Sequence, residues 1–265
     1  MGVEFTVTEL FYYPVKSLSG VSVSSVELDE FGIKNDRRFM FVDDDNKFVS
    51  QRTVPKLSQL SASVDAGKLQ IKGDNIGVLN FCLDGFKKNE PVRIWSDLVE
   101  ALIVDDDDTA VISQFLGKSV RLAFMPDSSF RQVDREYYSA DKRVGFADGF
   151  PFLLTNRASL KDLNIRLQEP VSMGRFRSNI IFSGNHAYQE DTWLKIKIGD
   201  IPFDVVKPCS RCVMTTINQF GEKGKEPLKT LASYRKNEYG VCFGQNMVHK
   251  ALGRISVGDM LKSAD

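Results

Sequence analysis

Apolar and polar residues alternate along most of this chain, and a period of two marks half-buried strands. Phe5 and Val7 alternate with Glu4, Thr6 and Thr8, and Val21 and Val23 flank Ser22 in the same way. The apolar runs 38–42 and 47–49 lie on either side of Asp43, Asp44, Asp45 and Asn46, which predicts a hairpin with a four-residue loop. A clearer hairpin is predicted over 195–205, where Ile196, Ile198, Ile201, Phe203 and Val205 alternate on the two arms of a Gly199-Asp200 turn. A similar phrase recurs around Gly258-Asp259, but two matches do not make a repeat architecture.

Helical signals are few. Four aspartates at 105–108 precede a segment in which Val111, Ile112, Phe115 and Leu116 form one apolar face and Gly117 is placed to end it. Carboxylates at a helix N-terminus accept from its free N–H groups and meet the positive end of its dipole, so capping explains the acidic run without calcium. Asn156 is placed to cap a helix carrying Leu160, Leu163 and Leu167, and 228–235 reads as another short helix. No long parallel βαβ alternation is present. The pattern therefore predicts a mainly β fold with a few short helices (α+β), built from barrels or sandwiches. Residues 125–129 are the expected seam, giving a β-rich N-terminal domain over 1–124 and a second domain over 125–265.

Composition narrows the function classes. The 265 residues carry 35 basic and 35 acidic side chains, so no net field draws the protein to nucleic acid or an anionic membrane, and any anion site must be local. Polar and acidic residues occupy the N-terminus where a signal peptide needs an apolar run. Gly2 and Thr6 match a short lipidation pattern, although the same stretch reads as a strand that begins at once. No run of about eighteen apolar residues offers a membrane span. Cys82, Cys209, Cys212 and Cys242 are too scattered for a disulfide framework. Together these features point to a reducing cytoplasm.

Four segments can carry chemistry. Lys16, Ser17 and Ser19 form a loop after a strand that can hold a phosphate, as can an ordinary solvated turn. Arg37 and Arg38 begin an apolar strand and should face opposite ways, so one of them at most shares a site with Lys16; an ion pair with Asp36 is the structural alternative. Arg177 and Asn179 offer planar hydrogen-bonding groups to a polar ring or phosphate, or a strand-end ion pair. Finally, Cys209-Ser210-Arg211-Cys212 places two thiols around a cation, which favours the thiolate, the form that attacks electrophiles and binds soft metals. Three readings of this pair stay open. A zinc site would recruit Cys242 and His249 at an unusual spacing. A redox pair would want a helix where Thr215, Thr216 and Ile217 favour a strand. A single thiolate ligand to a redox metal needs neither.

These residues also resemble a family. Tyr13-Pro14-Val15-Lys16-Ser17, Phe146-Ala147-Asp148-Gly149-Phe150-Pro151, Phe176-Arg177-Ser178-Asn179-Ile180, Glu190-Asp191-Thr192-Trp193 and Cys209-Ser210-Arg211-Cys212 occur in the order seen in MOSC-domain proteins. The likeness covers nearly the whole chain and is nearest the YcbX-like branch, related to the mitochondrial amidoxime-reducing component. It implies a β-rich N-terminal domain, a β-barrel-like MOSC domain and a molybdenum cofactor (molybdopterin with molybdenum) between them. The resemblance assigns Cys212 as the molybdenum ligand and Cys209 as its neighbour. It assigns Lys16, Ser17 and Arg38 to the cofactor's phosphate end, and Arg177, Asn179, Ser210 and Arg211 to its pterin and phosphate surroundings. Asp148, Gly149 and Phe150 match the loop bordering the metal, where Asp148 can relay protons.

Ser178 replaces the proline of the family's Phe-Arg-Pro-Asn, which frees the backbone before Asn179 and keeps both polar groups. The sequence ends without the cysteines of the iron–sulfur domain found in some YcbX-like chains, so the expected electron source is a separate flavodoxin- or ferredoxin-type protein. The implied activity is reduction and detoxification of N-hydroxylated compounds such as amidoximes and hydroxylamines, without pyridoxal phosphate. The alternative is a sulfur carrier or cofactor-delivery protein using a persulfide at Cys212. His186 and His249 are the only histidines, too few for a histidine-rich metal centre, and Gly221 and Gly224 suit a solvated turn better than a phosphate cradle.

Overall fold

Seven strands close into a barrel in the computed structural model, which describes residues 4–104 and 106–263. Their order is Phe152–Asn156, Ile180–Phe182, Glu4–Tyr12, Met260–Ser263, Lys195–Ile198, Ile201–Ser210 and Gly240–His249, and the last pairs back to the first. All neighbours are antiparallel except Phe152–Asn156 and Ile180–Phe182, which run parallel and are connected through the helix Arg157–Arg166. The predicted 195–205 hairpin is present with Ile198 opposite Ile201, and its inward residues are buried at every second position. Gly199 supplies the positive φ of 54° that this tight turn requires. Phe5, Val7, Phe182, Trp193, Phe203 and Leu261 fill the barrel. Each large side chain so buried contributes about 1.5–3 kcal/mol.

The N-terminal half adds a four-stranded sheet of Phe39–Val42, Arg121–Phe124, Asp97–Val104 and Lys88–Ile94. A three-stranded meander of Ser61–Asp65, Lys68–Gly73 and Gly77–Cys82 packs nearby. Their apolar faces share a core around Phe39, Phe41, Leu57, Ile71 and Leu122. Packing does not divide the chain at a single point: the first strand belongs to the C-terminal barrel, and Gly253–Ser256 pairs with Ser25–Asp29. The loop after Glu4–Tyr12 therefore passes from the barrel into the N-terminal sheets, with Lys16 N donating to Phe39 O at 2.8 Å.

Local chemistry explains where the structure follows the expected elements and where it departs. Asp107–Leu116 is a helix with Asp106 and Thr109 capping each other reciprocally, and Gly117 ends it at φ 67°. Asp105 and the lipidation signal at Gly2 lie outside the described residues. The 43–46 turn forms, with Asp43 N bonded to Lys47 O, but Phe39–Val42 takes Arg121–Phe124 as its main partner. The phrase around Gly258-Asp259 does not repeat the 195–205 hairpin. Asp259 Oδ2 accepts from Ser256 N, Val257 N bonds Ser24 O and Gly258 N bonds Val7 O, so the two arms enter different sheets. Thr215 and Thr216 do not form a strand. Their hydroxyls bond back to the carbonyls of Cys212 and Val213, which closes the 3-10 turn Val213–Thr216.

Candidate active site

Cys212 sits where a barrel strand runs out. Pro208 has no N–H for the ladder, and the register of Ile201–Ser210 against Gly240–His249 slips twice, once next to this proline. Arg211 N still bonds Val241 O at 2.7 Å, and Cys212 then leads into the 3-10 turn. The half-buried Cys212 thiol is thereby presented at the wall of a cavity of about 350 Å³. The same cavity is lined by Lys16, Ser17, Asp148, Gly149, Phe150, Arg177, Asn179, Ser210 and Arg211. Ten of the eleven residues singled out from sequence thus meet at one place, although they come from chain segments nearly two hundred residues apart.

Arg38 is the exception. Its Nε donates to Met125 O at 2.9 Å, its Nη2 to Asp127 Oδ1 at 2.7 Å, and its guanidinium stacks 3.9 Å from the Phe31 ring centroid. Its neighbour Arg37 lines the cavity instead. Both precede the strand Phe39–Val42, and Arg37 lies in a turn at φ 49°, so the turn and not strand alternation separates their directions. The side is fixed by Asp36, which accepts from Tyr13 N at 2.7 Å and from Arg37 Nη1 at 2.5 Å.

Asp36, Arg37 and Asn179 form the floor. Asn179 Oδ1 accepts from Arg37 at 2.9 Å and from Leu153 N at 3.2 Å, while its Nδ2 reaches Phe11 O and Asp36. The amide of Asn179 therefore holds the floor together and has little left to offer a ligand. Arg177 donates to Leu18 O and stacks 4.4 Å from the Tyr13 ring, with Arg37 at 4.3 Å. Burial, helped by Arg37, lowers Arg177 to about 10, and burial pushes the Tyr13 phenol up to about 12. Ser178, at the family's proline position, is buried and accepts from Thr155 Oγ1 at 2.8 Å. Ser17, Arg37 and Arg177 all have positive φ, at 69°, 49° and 57°, a conformation costly for these residue types and concentrated at functional sites.

The mouth is built differently. Lys16 Nζ donates to Phe146 O at 2.8 Å and to Asp148 Oδ1 at 2.6 Å, while Arg52 Nη2 reaches Asp148 Oδ2 at 3.1 Å and Cys212 Sγ at 3.2 Å. Loss of water pushes the Asp148 carboxyl up, but Lys16 and Arg52 outweigh it and hold the group well below the usual carboxylate range. Burial lowers Lys16 to about 8, with Asp148 pulling the other way. Arg131 bonds the carbonyls of Gly145 and Ala147 and so fixes the 145–148 loop from behind.

The cation beside Cys212 is therefore Arg52, which sequence reasoning missed; Arg211 donates to Cys209 Sγ and Phe176 O. Arg52 lies in a loop with no motif around it, and only its charge beside the turn at Pro55 marks it in sequence. Cys242 and His249 do not converge on the pair. Cys242 donates to Asn237 Oδ1, and His249 Nε2 contacts Asp29 O at 2.9 Å. Among the described residues no three His, Cys, Asp or Glu side chains cluster as a metal site. A wider cleft of about 950 Å³ lies beyond Arg177 and Met214 and has no cysteine in its lining.

These residues fit a large anionic group with a soft metal. Arg211 Nε, at the cavity wall, is buried without an acceptor, which is unfavourable and which a bound oxyanion would relieve. Nothing stands within 4 Å of the Cβ position at Gly149, which leaves room beside the thiol.

A cavity lined from a closed barrel and a second β unit, with a strand-end thiol beside buried guanidiniums, defines the class of site this fold presents. The chain belongs to the MOSC-domain family. Residues 141–262 match the MOSC domain, and residues 4–119 match the MOSC N-terminal beta barrel domain. The chain is 32% identical over 276 residues to mitochondrial amidoxime-reducing component 1 of Homo sapiens, covering 96% of this chain and 81% of that protein. It is 32% identical to the same component of Danio rerio over 271 residues, 96% of this chain and 83% of the other. It is also 31% identical to the molybdenum cofactor sulfurase of Oryza sativa subsp. japonica, covering 89% of this chain and 31% of that one.

Proposed function

We propose that this protein binds a molybdenum cofactor in the Cys212 cavity and reduces N-hydroxylated compounds, with electrons from a separate flavodoxin- or ferredoxin-type protein in the cytoplasm. The observation that carries the reading is a strand-end thiol opening onto a cavity that Arg37 and Arg177 also line. Bound there, the cofactor supplies the two-electron chemistry that removes oxygen from nitrogen.

The chain's own residues do the rest. Cys212 Sγ is the soft ligand, and Arg211 Nε is a buried donor without an acceptor that an oxyanion of the cofactor can fill. Lys16, lowered to about 8 by burial, is the cation that donates to Asp148 at the mouth. Asp148 is held ionised and keeps Lys16 and Arg52 in place. Its clasp between two cations argues against the proton-relay role expected from the sequence.

Protein made in a molybdenum-competent host should contain molybdenum and pterin and oxidise a reduced artificial donor when given an amidoxime. Cys212→Ser should lose that turnover by at least about a hundredfold, the scale seen when a group central to a catalytic unit is removed. Full activity with metal bound in this variant refutes the assignment. The rice sulfurase likeness supports a second reading, a persulfide carrier at Cys212; a labile persulfide without amidoxime turnover would favour it.

A further inference from the structure

Arg52 reaches Cys212 from the opposite half of the molecule, and it does not stand alone. Its guanidinium packs 4.7 Å from the ring of Trp95, which sits in the turn between Lys88–Ile94 and Asp97–Val104. Trp95 has φ 54°, a backbone conformation that an indole rarely adopts, yet it remains 42% exposed. Phe48 holds it from one side at 4.8 Å between centroids. A strained backbone, a large exposed aromatic and a buried guanidinium N–H without acceptor are each unfavourable, and here they coincide around Arg52, which lines the cavity and carries Trp95 against its outer side. Depth separates this group from the floor. The side chains of Arg52 and Asp148 are 22% and 57% exposed, against 11% for Arg37 and 4% for Asp36.

We propose that Arg52 and Trp95 form the substrate-binding edge of the site, with the Arg52 guanidinium donating to the hydroxyl oxygen of an N-hydroxylated substrate and Trp95 stacking on its planar group. This rests on the reading of Cys212 as the cofactor's ligand. Arg52 Nη2 is spent on Cys212 Sγ and Asp148 in this arrangement. A metal held by the sulfur would compete for the first of these bonds and would leave that donor free for a substrate oxygen. Arg52 Nη1 is covered, so the guanidinium must turn to use it, and the indole face lets it do so without losing its cation–π contact. An amidoxime suits this edge because its conjugated N–C–N group is flat and its hydroxyl oxygen accepts hydrogen bonds. Lysine cannot substitute, since the planar fork serves Asp148 and the substrate together, whereas an ammonium is a single point charge.

The test uses the molybdenum-loaded protein titrated with benzamidoxime. Of the two tryptophans, Trp193 is 9% exposed in the barrel, so quenching of tryptophan emission by the ligand reports on Trp95. Wild type is expected to quench, and Trp95→Phe to lose the quenching and raise KM. Arg52→Lys is expected to raise KM by about 10- to 100-fold, the loss of one charge-assisted hydrogen bond, with molybdenum and pterin content as in wild type. Unchanged KM in both variants overturns the proposal while the reading of Cys212 stands. A cofactor content that falls in step with activity at constant KM also overturns it, by making Arg52 a cofactor clamp. Wild-type protein that binds no molybdopterin sinks the reading of Cys212 and this inference together.

Discussion

The floor and the mouth of the cavity use the same residue types in opposite ways. At the floor, Arg37 is paired with Asp36 and Asn179, and every member is buried. At the mouth, Lys16 and Arg52 clasp an exposed Asp148, and one guanidinium N–H stays unpaired. A closed network in a dry interior fixes geometry, because breaking it strands a buried charge; an incompletely paired one at the water boundary can exchange partners with a ligand. The floor is thus scaffold and the mouth is where binding changes something.

That contrast can be broken at several points. The largest effect is expected from Asp36→Ala, which leaves Arg37 buried without its carboxylate and should lower stability by about 3–5 kcal/mol, read from urea or thermal unfolding. A loss below about 1 kcal/mol would show that the floor is not a closed unit. Next comes pH. Lys16 loses its charge above about 8, so affinity for inorganic sulfate should be flat below that pH and fall above it by at most about tenfold per unit, measured by calorimetry.

Asp148→Asn sharpens the comparison. Asp148 raises Lys16, so the variant should move the onset of weakened sulfate binding below pH 8. An unmoved onset would detach Lys16 from Asp148. The smallest effect belongs to Cys209→Ser. Its sulfur meets only Arg211 and its own neighbour's carbonyl, so unfolding should shift by about 0.5 kcal/mol or less and molybdenum content should not change.

The strands were legible where alternation was strict and the turn chemistry local. The 195–205 hairpin needed only its period and Gly199, and the 107–116 helix only its caps. The phrase at Gly258 carries the same letters, yet its arms pair with Ser25–Asp29 and Glu4–Tyr12, because partners elsewhere in the chain offer deeper burial than each other. Likewise Thr215 and Thr216 have strand propensity, but back-bonding to Cys212 and Val213 prevails where no neighbouring strand is available. In the site, residues inside recognisable motifs were legible. Arg52 and Trp95 were not, since a lone arginine in a loop and a tryptophan in a turn carry no spacing that ties them to Cys212.

What the sequence determined by itself was the kind of structure and the residues of the motifs, since period, capping and turn residues act over a few positions. Which of Arg37 and Arg38 faces the cavity, which cation lies beside Cys212, and that Asp148 is clasped as an anion were decided only by the tertiary structure. Those outcomes depend on contacts between segments up to 160 residues apart, as Arg52 and Cys212 are, and no local pattern encodes the direction in which two such side chains point.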